Sequence, residues 1–131
     1  MSYQSYIDDN LIVNNLVTEA CIINVEDESL RAKSTGWKFK EGEITTIVNL
    51  FEQPKDAITN GIIINGAVYM GYKADCKSIL AKNGDCGIVL VKSGTSIIIG
   101  YYDEFQTLGN VSMAVEHVAF DLRYLNDIKK I

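Results

Sequence analysis

The sequence has few of the residues from which active sites are usually built. It contains one histidine, His117, and it lacks both a glycine-flanked nucleophile and a His-Glu-x-x-His pair, which are common signatures of hydrolases. Its glycines mark turns and form neither a phosphate-binding loop nor a dinucleotide fingerprint. The acidic pairs Asp8-Asp9 and Asp103-Glu104 lack the alternating oxygen ligands of a calcium loop. We therefore expect a binding protein without catalytic activity, metal or cofactor; a small enzyme that uses His117 is the alternative.

The sequence is also poor in cysteine and in positive charge. Cys21, Cys76 and Cys86 are odd in number and lack the paired spacing of metal ligands, which favours free thiols in a reducing compartment. The chain has 12 Lys and Arg residues against 17 Asp and Glu residues, and its formal net charge is −5. Because nucleic-acid binding needs a basic surface that displaces counterions from phosphates, nucleic acid is not an expected partner.

Targeting and membrane-spanning patterns are missing as well. The first residues contain no basic segment followed by an apolar run, and no apolar stretch is long enough to cross a bilayer. These features predict a cytoplasmic protein without a transmembrane segment. The sequence has no internal repeat or low-complexity tract, so we expect one domain over residues 1–131.

What the sequence does contain is a series of strand and turn patterns in its middle. Strands are predicted at 62–64, 68–70, 78–82, 87–92 and 96–102, with turn residues between them. The pair Asn65-Gly66 tolerates the positive φ angles of a tight hairpin turn. The run 97–99 is continuously apolar, which is typical of a central strand covered on both faces. The pattern predicts an antiparallel meander with layers on both sides.

The segment before the meander predicts a hairpin and a helix. Residues 19–25 and 29–34 read as two strands joined by a polar turn. A helix follows that begins at Glu41 and is stopped by Pro54. Together with a helix at each end of the chain, these elements predict an α+β sandwich.

Both ends of the chain show helical periodicity. The N-terminal helix is predicted over 2–13, with Ser2 as N-cap and an apolar stripe of Tyr3, Ile7 and Leu11. The C-terminal helix is predicted from about Asn110 to Ile128, with an aliphatic face of Val115, Val118, Leu122 and Leu125. Its opposite face carries His117, Phe120 and Tyr124. The aliphatic face is expected to pack on the sheet, and the aromatic face is expected to adjoin Tyr3 and Tyr6 of the N-terminal helix.

Two sets of surface residues are candidates for binding. The aromatic residues Tyr3, Tyr6, Phe120 and Tyr124 are compatible with a groove for a proline-rich peptide, and equally with ordinary helix packing. Lys73, Lys77, Lys82 and Lys92 are compatible with a basic patch, and also with lysines that only solvate strand edges.

Segments along the whole chain resemble those of profilins in order and spacing. The opening, from Met1 to Leu11, is similar to a profilin start, in which Met-Ser-Trp-Gln precedes a tyrosine, a small apolar residue and an acidic one. Further similar segments are Ala20–Ile23, Asn60–Ile62, Tyr69-Met70, Ala81–Gly84, Val91–Gly94, Gly100–Glu104 with Thr107 and Gly109, and Met113–Glu116. The chain therefore resembles a profilin over essentially its full length.

This resemblance implies a fold and a function. The implied fold is a central antiparallel sheet with both terminal helices on one face and smaller helices on the other. The implied function is binding of monomeric actin and regulation of filament assembly, together with binding of proline-rich segments and anionic phosphoinositides. A monomeric, cytoskeleton-associated protein without catalytic activity is expected.

By position, the resemblance assigns two sites. The implied actin contacts are Lys73, Lys82, Lys92, Gly109, Asn110, Met113, Glu116 and His117. The implied proline-peptide contacts are Tyr3, Tyr6, Arg31, Phe120 and Tyr124. Such an interface needs a buried centre and a polar rim, and lysines at the rim would steer association with acidic actin.

The chain departs from the family at both sites. Leu80 replaces a frequent arginine, and Val68 and Asn83 replace frequent lysines, which predicts weaker binding of actin and of lipid headgroups. Tyr3 and Arg31 stand where the family usually has tryptophan; arginine can stack its guanidinium plane but lacks the indole donor. Asp121 occupies a commonly aromatic position. The alternative function is a profilin-fold adaptor or phosphoinositide-binding module with little actin affinity.

Overall fold

A seven-stranded antiparallel sheet runs through the described part of the molecule. The computed structural model describes residues 3–12, 17–104 and 106–129, and of residues 10 and 124–129 it describes the backbone alone. The strands are β1 (Glu19–Asn24), β2 (Leu30–Lys33), β3 (Ile62–Ile64), β4 (Ala67–Ala74), β5 (Ser78–Asn83), β6 (Cys86–Ser93) and β7 (Ser96–Tyr102). Their order in the sheet is β2-β1-β7-β6-β5-β4-β3. The predicted α+β class, the opening hairpin and the meander are confirmed.

Turn chemistry sets the register of the meander. Asn65 and Gly66 have φ angles of 51° and 84°, and Ile64 pairs with Ala67 across them. The two positive φ angles give this turn the twist that matches its flanking strands, as the Asn-Gly pair predicts. Two later two-residue turns, between the pairs Asn83–Cys86 and Ser93–Ser96, each have one positive φ angle, at Gly84 (62°) and Gly94 (59°). Because side chains alternate between the faces of a strand, these turns also decide which residues share a face.

Four helical segments flank the sheet in the described residues. The N-terminal helix consists of α1 (Tyr3–Ser5) and a π-helix (Tyr6–Ile12) that continues it. The others are α2 (Glu43–Leu50), α3 (Lys55–Thr59) and α4 (Leu108–Lys129). The sequence predicted one regular helix over 2–13; its proposed N-cap, Ser2, and its last residue lie outside the described residues. The predicted helix from Glu41 to Pro54 is shorter in the structure, because α2 ends at Leu50 with Phe51 as its C-cap. Pro54 is instead the N-cap of α3, a helix that was not predicted.

The position of Pro54 explains the missed helix. Pro54 is the N-cap of α3, with helical φ and ψ angles of −60° and −29°, and the backbone N–H that proline lacks is not needed at the start of a helix. A proline that indicates the end of one helical pattern is therefore also well suited to precede another helix.

Each face of the sheet has its own hydrophobic core. On the face of the terminal helices, Ile98 of β7 packs with Ile7, Leu11 and Val115. On the opposite face, Ile97 and Ile99 pack with residues that include Ile47 of α2. A fully buried aliphatic side chain of this size contributes roughly 1.5–3 kcal/mol, so β7 is stabilised from both sides. The prediction of a central strand covered on both faces is confirmed.

Two side chains fix the outer elements on this sheet. Buried Glu43 of α2 accepts hydrogen bonds from the backbone N–H groups of Asn65 (2.6 Å) and Gly66 (3.0 Å), which attaches the β3–β4 turn to the helix. The Gln4 amide donates to the Lys33 carbonyl (2.8 Å) and accepts from the Lys33 N–H (3.3 Å). Gln4 therefore pairs with the edge strand β2 as a neighbouring strand would, and it docks the N-terminal helix there.

The remaining sequence predictions concern cysteines and membrane spans. Cys21, Cys76 and Cys86 are free thiols, and burial raises the pKa of Cys21 well above its usual value. Within the described ranges, no helix combines the length and apolar character that a bilayer crossing requires. In the same residues, no group of three or more His, Cys, Asp or Glu side chains is arranged to hold a metal ion.

Candidate functional site

The terminal helices cover only half of their face of the sheet. The N-terminal helix contacts β1 and β2, and α4 contacts β6 and β7. Leu80 of β5 is the outermost residue that still packs partly against this core. Beyond it, the sheet surface of β3 and β4 faces outward. An uncovered sheet face beside two docked helices is the first candidate for a binding surface.

This uncovered area is apolar. Ile63, Val68, Met70 and Tyr72 are each between 44% and 47% exposed, and we refer to them as the exposed sheet patch. Ile63 pairs with Val68, while Ala67 and Tyr69 on either side of Val68 pack on the opposite core. Alternation along β4 therefore places the patch residues on one face. Contiguous exposed apolar surface of this kind marks an interaction site more often than isolated residues do.

Tyr72 is supported by two neighbours at the inner edge of the patch. The Lys82 Nζ lies 5.2 Å from the centre of the Tyr72 ring, in cation–π geometry. The Tyr102 ring fills the space above Gly87, where a Cβ atom would collide with it. Burial, and then the charge of Tyr72, raises the pKa of Tyr102 to about 12. Tyr72 is thus held between a lysine and a buried tyrosine.

The outer surface of α4 provides a second apolar area. Met113 and Phe120 are 73% and 69% exposed, and the exposed residues Asn110, Glu116 and His117 lie around them. Gly109, also exposed, lies at the start of the helix. The inward residues Val115 and Val118 are buried. The two unlike faces that the periodicity predicted are present in the described part of α4; Leu125 lies outside it.

The lysines implied at the actin site do not form one patch. Lys73 pairs with Leu80, two positions from Lys82, so these two lysines share the face of the exposed sheet patch. A register shift between Gly71 and Lys73 interrupts the alternation of β4, so Lys73 lies on the same face as Tyr72 although the two are adjacent in sequence. Lys92 pairs with Ile97, whose side chain belongs to the opposite core. Gly87 of β6 is the partner of Lys82, and Lys92 lies five residues further along the same strand. At the usual rise of a strand, Lys92 is therefore about 17 Å from the position opposite Lys82. A single basic patch of Lys73, Lys77, Lys82 and Lys92, one of the two interpretations left open by the sequence, therefore does not include Lys92.

Tyr3 and Arg31, two of the residues implied at the peptide site, contact each other directly. The Arg31 Cζ lies 4.9 Å from the centre of the Tyr3 ring. The Arg31 Nη1 donates a hydrogen bond of 2.6 Å to the Ser96 Oγ. We refer to these two side chains as the Tyr3–Arg31 pair. The Arg31 guanidinium therefore packs over the Tyr3 ring of the same chain.

Of the other aromatic residues implied at the peptide site, Tyr6 and Phe120 do not join this pair. Tyr6 is 4% exposed and belongs to the core, so its predicted place in a surface groove is wrong. Burial raises the pKa of Tyr6, and the charge of Asp121 raises it further, which places Asp121 of α4 beside it. Phe120 lies on the outer surface with Met113 and His117, away from Tyr6. The side chain of Tyr124 lies outside the described residues.

Sequence reasoning missed three members of the exposed sheet patch. Ile63 and Met70 fall in predicted strands and Tyr72 lies beyond the predicted strand 68–70, and none of the three was assigned a binding role. A signal was present, because Val68, Met70 and Tyr72 recur at every second position of β4. The sequence pattern does not show that the terminal helices leave β3 and β4 uncovered.

Comparison with known proteins gives a consistent result. The family model described as Profilin matches residues 1–128. Profilin-P of Physarum polycephalum is 40% identical over 119 residues, which cover 91% of this chain and 94% of that protein. The solved structure of Acanthamoeba castellanii profilin IB has a TM-score of 0.89 and 30% sequence identity, and the match covers 95% of this chain and 99% of that one.

A solved complex with actin is among the similar structures. LokiProfilin1, determined in complex with rabbit actin, matches with a TM-score of 0.74 and 22% identity. The match covers 94% of this chain and 95% of LokiProfilin1. At this level of identity the similarity concerns the fold.

Proposed function

This chain belongs to the profilin family, and from that premise we propose that it binds monomeric actin and regulates the assembly of actin filaments. The proposed surface combines the exposed sheet patch with the start and outer face of α4. In this assignment Lys73, Lys82, Gly109, Asn110, Met113, Glu116 and His117 keep the roles that the family resemblance implies. Lys92 is left out, because it lies on the opposite face of the sheet.

The observation that carries this proposal is the apolar area left uncovered by the terminal helices. A stable interface needs an apolar centre that is removed from water, surrounded by a polar rim. Met70 and Tyr72 supply such a centre, and Met113 is a further exposed apolar side chain, on α4. Lys73 and Lys82, on the same face, supply cations at its border. The proposed interface is therefore apolar in its centre and steered by few charges.

Two positions at which this chain departs from the family change the charge of the proposed surface. Val68 replaces a frequent lysine, and it lies within the exposed sheet patch at 45% exposure. Leu80 replaces a frequent arginine and packs partly against the core. Each of these two substitutions replaces a positively charged side chain at the rim of the surface with an apolar one. We therefore expect actin binding that depends less on salt than binding through a basic patch would.

Calorimetric titration of the protein into monomeric actin tests the proposal. Micromolar or tighter binding in both low and moderate salt is the expected result. Undetectable binding in low salt would reject the actin assignment and favour the adaptor function, which the family membership does not otherwise support.

A second binding function is proposed at the Tyr3–Arg31 pair. Tyr3 offers a partly buried ring on the N-terminal helix, and flat aromatic walls are what pre-extended proline-rich segments dock on. This site lies over β2 and the N-terminal helix, whereas the exposed sheet patch lies over β3 and β4 at the other edge of the sheet. The two ligands could therefore be bound at once. Binding of a proline decamer that persists in the presence of saturating actin is the expected test result.

The proposed cellular setting follows from these partners. A monomeric, non-enzymatic protein that sequesters and delivers actin acts in the cytoplasm and at the cytoskeleton. Binding of anionic phosphoinositides is proposed to be weak, because Lys73 and Lys82 are the two implied lysines that share a face and lipid binding draws on larger clusters.

A further inference from the structure

We propose that Arg31 makes the peptide site of this chain select proline-rich segments that carry an acidic side chain. This inference rests on the peptide binding proposed above and names the chemistry of its ligand. It derives from the position, anchoring and charge of the Arg31 side chain.

Two contacts hold the Arg31 guanidinium in one place. One face stacks on the Tyr3 ring at 4.9 Å, and Nη1 donates to the Oγ of Ser96 at 2.6 Å. Ser96 is fully buried at the start of β7, which makes it a fixed anchor. A guanidinium has five N–H donors in a planar fork. One bond to a hydroxyl leaves donors for a further acceptor, and the side chain is already ordered to present them.

Arg31 has no ion-pair partner among the carboxylates of residues 3–12, 17–104 and 106–123. Arg31 does act on Asp27, whose pKa is lowered first by hydrogen bonds from Ser29 and to a smaller extent by the Arg31 charge. The Asp27 carboxylate already accepts bonds from the Ser29 Oγ (2.6 Å) and N–H (3.0 Å). Arg31 is thus a partly buried cation that a bound carboxylate would compensate.

A peptide carboxylate fits this site better than a lipid headgroup. Anionic membranes attract clusters of four or more cations with little acid between them. Arg31 instead lies on an acidic chain of net charge −5, and the helix that carries Tyr3 also exposes Asp8 and Asp9. One carboxylate on a narrow, extended segment can reach a single guanidinium and avoid these acids. A planar fork also matches the two oxygens of a carboxylate.

Matched peptides separate charge from proline content. Two series of fluorescent proline decamers are needed, one with Asp and one with Asn at each successive position, and their binding is measured by anisotropy in low salt. For the unaltered protein we expect one register in which the Asp peptide binds about tenfold more tightly than its Asn match, as for one charge-assisted hydrogen bond. A ratio near one at every position would overturn the inference.

Two variants test whether Arg31 is responsible. Arg31→Gln is expected to bring the Asp/Asn ratio to about one while Asn peptides still bind. Lys33→Gln is the matched control, because Lys33 is an exposed cation two residues along the same strand; it is expected to keep the ratio. Retention of the preference in Arg31→Gln, or its equal loss in Lys33→Gln, would contradict the assignment. If Arg31→Gln fails to fold, Arg31→Lys serves instead, with an expected partial loss of the preference.

Two further measurements distinguish the possible failures. If neither peptide series binds while actin does, the proposed peptide function fails together with this inference. If the Asn and Asp peptides bind equally, only the inference fails. Phosphatidylcholine vesicles with and without phosphatidylinositol bisphosphate provide the last comparison. Arg31-dependent binding to the phosphoinositide vesicles without an Asp preference would assign the site to lipid and overturn the peptide inference.

Discussion

The two halves of one sheet face differ in what covers them. Over β1, β2, β6 and β7 the terminal helices bury the apolar side chains, completely so at Ile98. Over β3 and β4 the same face keeps Met70 and Tyr72 nearly half exposed. Both halves are apolar and belong to one continuous sheet. Apolar character therefore does not by itself distinguish a core residue from a binding residue in this protein.

This difference predicts whether a substitution will change the stability of the protein or its binding to a partner. In the covered half, removal of an apolar side chain leaves a cavity and lowers the free energy of unfolding. In the uncovered half, the same removal changes little in the free protein, because water already reaches the side chain. Its effect appears when a partner covers the surface. Four substitutions, in order of decreasing expected effect, test this distinction.

Tyr6→Ala should have the largest effect, because it opens the covered half. The Tyr6 ring is buried between the N-terminal helix and α4, and truncation of a buried aromatic side chain costs about 3–5 kcal/mol. Urea unfolding would measure this loss, with Tyr3→Ala as a partly buried control of smaller effect. If the Tyr6→Ala variant is as stable as the unaltered protein and has lost only peptide binding, Tyr6 belongs to the surface groove and not to the core.

Met70→Asp should separate binding from stability in the uncovered half. A charge at the centre of the exposed sheet patch would have to be desolvated in the complex, so we expect actin affinity to fall by about tenfold or more. The urea midpoint should change little. Leu30→Asp is the matched control, since Leu30 is 38% exposed on β2 at the other edge of the sheet. Equal loss of actin affinity in both variants would remove the patch from the interface.

Lys82→Glu should have a smaller effect and a different kinetic signature. Lys82 lies at the border of the exposed sheet patch beside Tyr72. Reversing its charge is expected to slow association with actin by several-fold in low salt and to flatten the salt dependence of the rate, because rim charges act mainly by steering. Stopped-flow measurements at two ionic strengths provide the test. An unchanged rate in low salt would place Lys82 outside the interface.

Tyr102→Phe should have the smallest effect at neutral pH. Within the described residues, the buried Tyr102 hydroxyl forms no hydrogen bond of normal geometry, although Tyr72 lies close enough to raise its pKa. Removal of this hydroxyl should therefore change the free energy of unfolding by no more than about 1 kcal/mol. The effect should become visible at high pH. The Tyr102 pKa is about 12 in the folded protein and about 10 in an unfolded chain, so its contribution is complete below pH 10 and is lost as the pH rises through 12.

Unfolding measurements at pH 8 and pH 11 check this sign. The unaltered protein should lose more stability between these two pH values than Tyr102→Phe does. If both proteins lose the same amount of stability between these pH values, the ionisation of Tyr102 does not contribute to the loss. Tyr101, whose pKa is also raised, first by its hydrogen bond to Cys86, contributes equally to both.

Parts of the candidate site were predictable because they depend on local periodicity. Met113, His117 and Phe120 fall on the outer face of α4 by helical spacing alone, and the structure keeps them there. Tyr6 was wrongly placed because the N-terminal segment is largely a π-helix. Its hydrogen bonds join residues five apart, so side chains are distributed around the axis differently from those of an α-helix. Lys92 was wrongly grouped because its face depends on the strand register.

Local sequence patterns predict most of the strands and their turns, together with α4, but not α3 or the π-helical form of the N-terminal helix. The Asn65-Gly66 hairpin, the meander, the doubly covered strand β7 and the two faces of α4 follow from residues within a few positions of one another. Only the tertiary structure decided which half of the sheet stays uncovered, that Lys92 faces away from Lys82, and that Arg31 meets Tyr3 and Ser96. The bond from Arg31 to Ser96 spans 65 positions. Contacts over such separations depend on how the whole sheet is ordered, and no local pattern encodes that order.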